Sequence, residues 1–114
     1  MSDCLFCRIA AGEIPARIVN RTSTTVAFHD INPQAPVHLL VIPVAHWGGP
    51  ADLESDSGQA AAGELLRFAA RVAREAGLQR GYRLVLNQGN DGGQSVGHVH
   101  VHVLGGRPMA WPPG

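Results

Sequence analysis

Residues 98–104 read His-Val-His-Val-His-Val-Leu, an alternation of imidazoles and aliphatic side chains with a period of two. Side chains in an extended strand point to opposite faces in turn, so the valines would share one face and His98, His100 and His102 the other. A strand built this way must cover a core with its valines, and it needs a use for three imidazoles that would otherwise require partners. At about 3.3 Å rise per residue the imidazoles recur about every 7 Å, a spacing that a phosphate or a metal ion can bridge. A purification tag would be consecutive and terminal, and this run is neither. A row of independently solvated surface histidines is the plain alternative, against which strict alternation beside glycines weighs.

The loop before this strand, "NQGNDGGQSVG", offers backbone N–H groups with little side chain to obstruct them, together with the donors of Gln94 and Ser95. Such a loop can form an anion-binding concavity, which favours a phosphate over a bare metal, although glycine-rich hairpin loops without ligands are common.

The rest of the chain supplies what such a strand packs with. "RIVN" and "TVAFHD", separated by "RTST", read as a hairpin, "VHLLVIPV" as an apolar strand entered through "NPQAP", and "GYRLVLNQG" as a further strand. Between Ala51 and Gly77 the period changes. Leu65, Phe68, Ala69, Val72, Ala73 and Ala76 follow helical spacing, Arg71 and Arg74 suit the C-terminal dipole, and Gly77 is placed to end the helix. "DCLFCRIAAGEIP" reads as a short helix capped by its preceding Asp. Strands grouped around one main helix indicate an α+β fold with a largely antiparallel sheet.

Length and charge narrow the function. A chain of 114 residues is expected to form a single domain over 1–114, and nine basic against nine acidic residues leave no basic field for a nucleic-acid polymer. No apolar run approaches the roughly 20 residues that a membrane helix needs. The N-terminus "MSDCLFCRIA" lacks the basic start and long apolar middle of a secretory signal, which points to a cytoplasmic protein with reduced thiols. Cys4 and Cys7 are then metal ligands, a redox pair or plain packing.

The run from His98 to Leu104 resembles the His-φ-His-φ-His-φ-φ signature of the histidine triad (HIT) superfamily, φ being apolar. "FHDINPQAPVHLLVIP", "GYRLVLNQGNDGGQSVGHVHVHVLGGR" and the "WPPG" ending are similar to the branch of histidine triad nucleotide-binding proteins, the purine nucleoside phosphoramidases. The resemblance implies a HIT fold with a five-stranded, mainly antiparallel sheet and one long and one short helix. It also implies a homodimer with residues 105–114 as a tail at the interface and active site.

By the same resemblance the activity is hydrolysis of the P–N bond of purine nucleoside 5′-phosphoramidates. His100 would be the nucleophile, His102 and His38 would handle the phosphate and its proton balance, and Ser95 would complete the catalytic group. Asp30 would bind the ribose diol, Phe6, Ile9, Phe28, Ile31 and Leu40 would wall the base, and Asn87, Gly93, Gln94, Ser95, His100, His102 and Trp111 would line the rest of the substrate site. A closed zinc site needs four ligands, and the chain has no third cysteine. Zinc-containing members imply His46 and His98 as the partners of Cys4 and Cys7, with a structural Zn²⁺. The alternatives are a nucleotide-binding regulator with incidental hydrolysis, a dinucleoside polyphosphate hydrolase, and a metalloenzyme using all three histidines of the triad.

Overall fold

A computed structural model describes residues 3–114. The elements run α1 (Leu5–Ala10), β1 (Ile18–Arg21), β2 (Thr25–His29), β3 (Val37–Pro43), a 3-10 turn (Pro50–Leu53), α2 (Asp56–Glu75), β4 (Tyr82–Val85) and β5 (Val101–Gly105). The five strands form one sheet in the order β1-β2-β3-β5-β4, and every neighbouring pair is antiparallel. The α+β class, the five strands and the pairing of one long with one short helix are as expected from the sequence.

Each face of the sheet has its own apolar layer. Ala27, Leu39, Val41, Val101 and Val103 pack against Leu65, Phe68, Ala69, Val72 and Ala73 of α2. The helical spacing of those α2 residues places them on one stripe, and all five are buried. On the other face Val26, Phe28, Leu40 and Ile42 meet Phe6, Ile9 and Ala10 of the six-residue α1. A helix this short covers only part of the sheet, and the uncovered part carries His38 and His102.

Three local expectations are corrected. The helix expected within Ala51–Gly77 is a 3-10 turn followed by α2, which Ser55 caps by accepting from the Gly58 N–H at 3.0 Å. The cap of α1 is Cys4, whose Sγ accepts from the Cys7 N–H at 3.4 Å, and not the preceding Asp. The last strand begins only at Val101, so His98 and His100 precede the ladder. In the β3–β5 register, in which Val41 faces Val101, continued pairing would set Val99 opposite Pro43. Proline has no N–H to give, and the ladder stops. Val99 donates to the Trp47 carbonyl instead, at 2.6 Å.

Two glycines of α2 separate backbone propensity from packing. A Cβ on buried Gly58 would lie 2.4 Å from the Leu53 carbonyl oxygen, whereas one on exposed Gly63 meets nothing within 4 Å. Gly63→Ala should therefore stabilise the fold by about 1 kcal/mol. Gly58→Ala should destabilise it by about 1–3 kcal/mol in spite of the same gain in propensity. Paired denaturant melts read both signs.

Candidate active site and metal centre

The uncovered half of the sheet brings three imidazoles into sequence. His38 on β3 and His102 on β5 lie one register step apart, since Leu40 pairs with His102 and His38 with Leu104. His38 Nε2 stands 2.9 Å from His102 Nδ1, and the His100 and His102 ring centroids are 5.0 Å apart. His38 and His100 are buried, and His102 is half-buried.

Neighbouring backbone groups fix how these rings carry their protons. The Gln34 N–H donates to His38 Nδ1 at 3.0 Å, so that nitrogen bears the lone pair and Nε2 bears the hydrogen. His38 Nε2–H then donates to His102 Nδ1, which leaves the hydrogen of neutral His102 on Nε2. His100 Nδ1 lies 2.7 Å from the His98 carbonyl oxygen and must be the N–H, so its Nε2 carries a free lone pair. A free lone pair and an N–H donor thus stand side by side on adjacent rings.

Burial favours the neutral form of His102 and His38. Burial lowers the His102 pKa to about 4, with His100 and His38 adding to the effect and Asp30 opposing it. Burial also lowers that of His38, against the Asp30 carboxylate, which raises it. Asp30 Oδ2 is 3.4 Å from His38 Nε2, and its Oδ1 accepts from the Asn32 N–H at 2.8 Å.

Asp30, His38 and His102 could be taken for a two-histidine, one-carboxylate metal site. Their hydrogen bonds argue otherwise. With Nδ1 of His38 committed to the Gln34 N–H, a metal on Nε2 would require an imidazolate.

A second cluster fits a metal. Cys4, Cys7, His46 and His98 each present one ligand atom, all within 4.8 Å of one another. His98 Nδ1 lies 3.2 Å from Cys4 Sγ, 3.2 Å from His46 Nδ1 and 3.4 Å from Cys7 Sγ, and Cys7 Sγ is 3.3 Å from His46 Nδ1. The edges of a tetrahedral zinc site are about 3.3 Å between nitrogens and about 3.6 Å between sulfur and nitrogen. The His98 ring is turned for the task, because its Nε2–H donates to the Pro43 carbonyl at 2.9 Å and Nδ1 is left as the lone pair. One lone pair cannot satisfy three facing donors, whereas one cation can be satisfied by four ligands. Burial lowers the His98 pKa against the Pro43 hydrogen bond, which raises it, and a neutral ring is the ligating form.

The two clusters touch. Phe6, between the two cysteines, meets His98 and His100 edge-on with centroids at 6.0 and 5.1 Å. Phe6, Ile9, Phe28 and Leu40 are buried together. Ile31 is 99% exposed and does not join them; with Asp30, Pro15 and Pro33 it lines an open groove of about 510 Å³. A larger cavity, about 670 Å³ between α2 and the β1–β2 turn, has no histidine in its lining and belongs to neither cluster.

In the glycine-rich loop Ser95 and Gly93 are exposed, Asn87 donates to the Gly92 carbonyl at 2.5 Å, and the Gln94 amide is spent on backbone groups. Trp111 is 83% exposed, and Arg83 holds the tail beside it by donating to the Ala110 carbonyl at 2.6 Å. Sequence reasoning missed the Gln34 N–H and the Pro43 and His98 carbonyls. Backbone groups carry no residue-type signal, and only the two prolines around β3 hint that this segment has unpaired groups to offer.

Comparison with known proteins agrees with this geometry. The model of the HIT domain matches residues 11–109, and the chain belongs to that family. It is 48% identical over 115 residues to a 14 kDa zinc-binding protein of Zea mays, covering 99% of this chain and 89% of that one. A HIT family hydrolase from Legionella pneumophila superposes with a TM-score of 0.94 at 49% identity, over 98% of this chain and all of the other. A histidine triad protein from Clostridium difficile gives 0.91 at 38% identity, over 96% of each chain. The Cys-x-x-Cys pair with its two histidines sets the chain with the zinc-containing type of the family.

The depressed value of His102 has a testable sign. Its ring should remain neutral from neutral pH down to about pH 5 and titrate near 4, well below the ordinary 6.5. The unfolded chain takes up this proton first, so the associated stability is present above pH 6.5 and is lost as the pH falls toward 4. Imidazole NMR titration reads it directly; a midpoint near 6.5 would contradict the burial argument.

Proposed function

We propose that the protein is a hydrolase of purine nucleoside 5′-phosphoramidates acting through a nucleotidyl-histidine intermediate. The observation that carries this reading is the ordering of protons along Gln34, His38, His102 and His100: a free lone pair on His100 Nε2 beside an N–H on His102 Nε2. His100 Nε2 attacks the α-phosphorus and the P–N bond breaks as His102 Nε2–H passes its proton to the departing amine and takes one from an incoming water, so that the ring stays neutral. The hydroxide so formed attacks phosphorus and the bond to His100 Nε2 breaks. The chain has gained and lost nothing, and the products are the nucleoside monophosphate and the free amine.

The surrounding residues divide the remaining work. The backbone N–H of Ser95, with the Ser95 hydroxyl, donates to the phosphate oxygens. Asp30 accepts from the ribose diol, and the apolar patch of Phe6, Ile9, Phe28 and Leu40 lies under the base. That family relatives include a HIT family hydrolase supports hydrolysis over binding alone.

His100→Ala should abolish turnover of an adenosine phosphoramidate by about 10⁴-fold or more while AMP binding stays measurable. Mass spectrometry of the quenched wild-type reaction should find the nucleotidyl adduct on His100. An adduct elsewhere, or wild-type rates in the variant, would overturn the assignment.

Zinc in this reading is structural, held by Cys4, Cys7, His46 and His98, and the similarity to the zinc-binding protein of maize supports that metal. It ties α1 to the sheet and supplies no reacting group. The exposed edge residues Tyr82 and Leu86, with the exposed Trp111, support a homodimer in which residues 105–114 approach the partner's site. Thiols arranged for a metal suit the reducing cytoplasm. Native mass spectrometry of untagged protein should find two chains and two zinc ions, and replacing both cysteines by serine should remove the zinc. A monomer would refute the dimer, and zinc retained without the thiols would refute the ligand set.

A further inference from the structure

We propose that Gln94 is a positioning residue: it clamps the glycine-rich loop to the turn that follows His46, and it does not touch the departing amine. This rests on the reading of residues 89–96 as the phosphate loop. The Gln94 side chain is half-buried, and its Oε1 accepts from the Gly89 N–H at 3.0 Å. Its Nε2 donates to the Gly48 carbonyl at 2.7 Å and to the Val96 carbonyl at 3.0 Å. Both amide hydrogens are thereby committed to backbone, and one of them spans 46 residues of sequence. Nothing is left to donate to a substrate unless the loop first comes apart.

Other groups of the same seam show that it is built. The Gln88 Oε1 accepts from the Ala51 N–H at 2.7 Å, a second clamp between the same two segments. Gly49 lies buried between the glutamines, where an added Cβ would stand 2.7 Å from Gln88 Oε1 and 3.1 Å from Gln94 Oε1. Gly92 is wrapped so closely that its Cβ would lie 2.3 Å from the Gln88 carbonyl oxygen. The residue before this turn, Trp47, accepts the Val99 N–H at 2.6 Å, so the seam also fixes the segment between His98 and His100. A loop made of glycines has little stiffness of its own, and three hydrogen bonds from one amide supply it. A pre-formed set of N–H groups then meets the phosphate without an ordering cost at the moment of binding.

The test uses Gln94→Glu, which keeps the acceptor for Gly89 and loses both donors, with Gly49→Ala as a second disruption of the same seam. Calorimetry should show AMP affinity falling about tenfold in each, the effect of losing a hydrogen bond or two, with adenosine affinity within about twofold of wild type. Hydrogen exchange at the Gly89 amide should accelerate while the β3–β5 ladder keeps its protection. Across adenosine phosphoramidates with different amines, the loss in turnover should be one constant factor. A loss that varies with the amine would make Gln94 a substrate contact and overturn the proposal, as would unchanged AMP affinity with native exchange at Gly89. If the wild type bound AMP but hydrolysed no phosphoramidate, the proposed activity would fall, while the binding and exchange arms would still decide the role of Gln94.

Discussion

The β3–β5 ladder ends where it does because residue 43 is proline, and the placement of the imidazoles depends on that ending. A residue with an N–H there would let the ladder run on to His98 and set the three histidines in a regular row on one face. Instead the chain leaves the ladder, and the unpaired carbonyl of Pro43 takes the His98 ring. That bond aims the other nitrogen of His98 at the two thiols, while the carbonyl of His98 itself aims His100. One missing donor thus separates what would be a row of equivalent imidazoles into rings with three different sets of partners.

The two faces of the sheet answer different demands. On one, α2 packs against β2, β3 and β5, and the five sheet residues of that layer are between 0 and 2% exposed. On the other, the six residues of α1 cover only part of the surface, and His38 and His102 lie outside that cover beside each other, Asp30 and His100. Burial without full coverage depresses their pKa values and still leaves a path for a ligand. A longer first helix would close the site, and a shorter one would leave the imidazoles hydrated and ordinary.

Much of this was legible in the residues. The valines of 98–104, the stripe of α2 and the stop at Gly77, whose φ is +80°, are local patterns that tertiary structure had no reason to override. His38, His100 and His102, three of the histidines that the resemblance singles out, stand side by side, and Cys4, Cys7, His46 and His98 form a second group. What escaped depends on groups far apart in sequence. The late start of β5 is set by a proline 58 positions earlier, the cap of α1 passes to a cysteine that the metal cluster holds in place, and the Gln94 amide finds its partner at Gly48. Ile31 looked like pocket wall by its neighbours in sequence, yet the turn after β2 throws it outward.

The strand order has a consequence for synthesis. β5 lies between β3 and β4, yet it is the last element to leave the ribosome. Until residues 101–105 emerge, the apolar strand Val37–Pro43 has an open edge, and β4 has nothing to pair with. Insertion of one five-residue strand therefore closes the sheet, completes the core with Val101 and Val103, and delivers His102 to His38 in a single late event. A chain lacking that strand has neither a closed sheet nor the contact between His38 and His102.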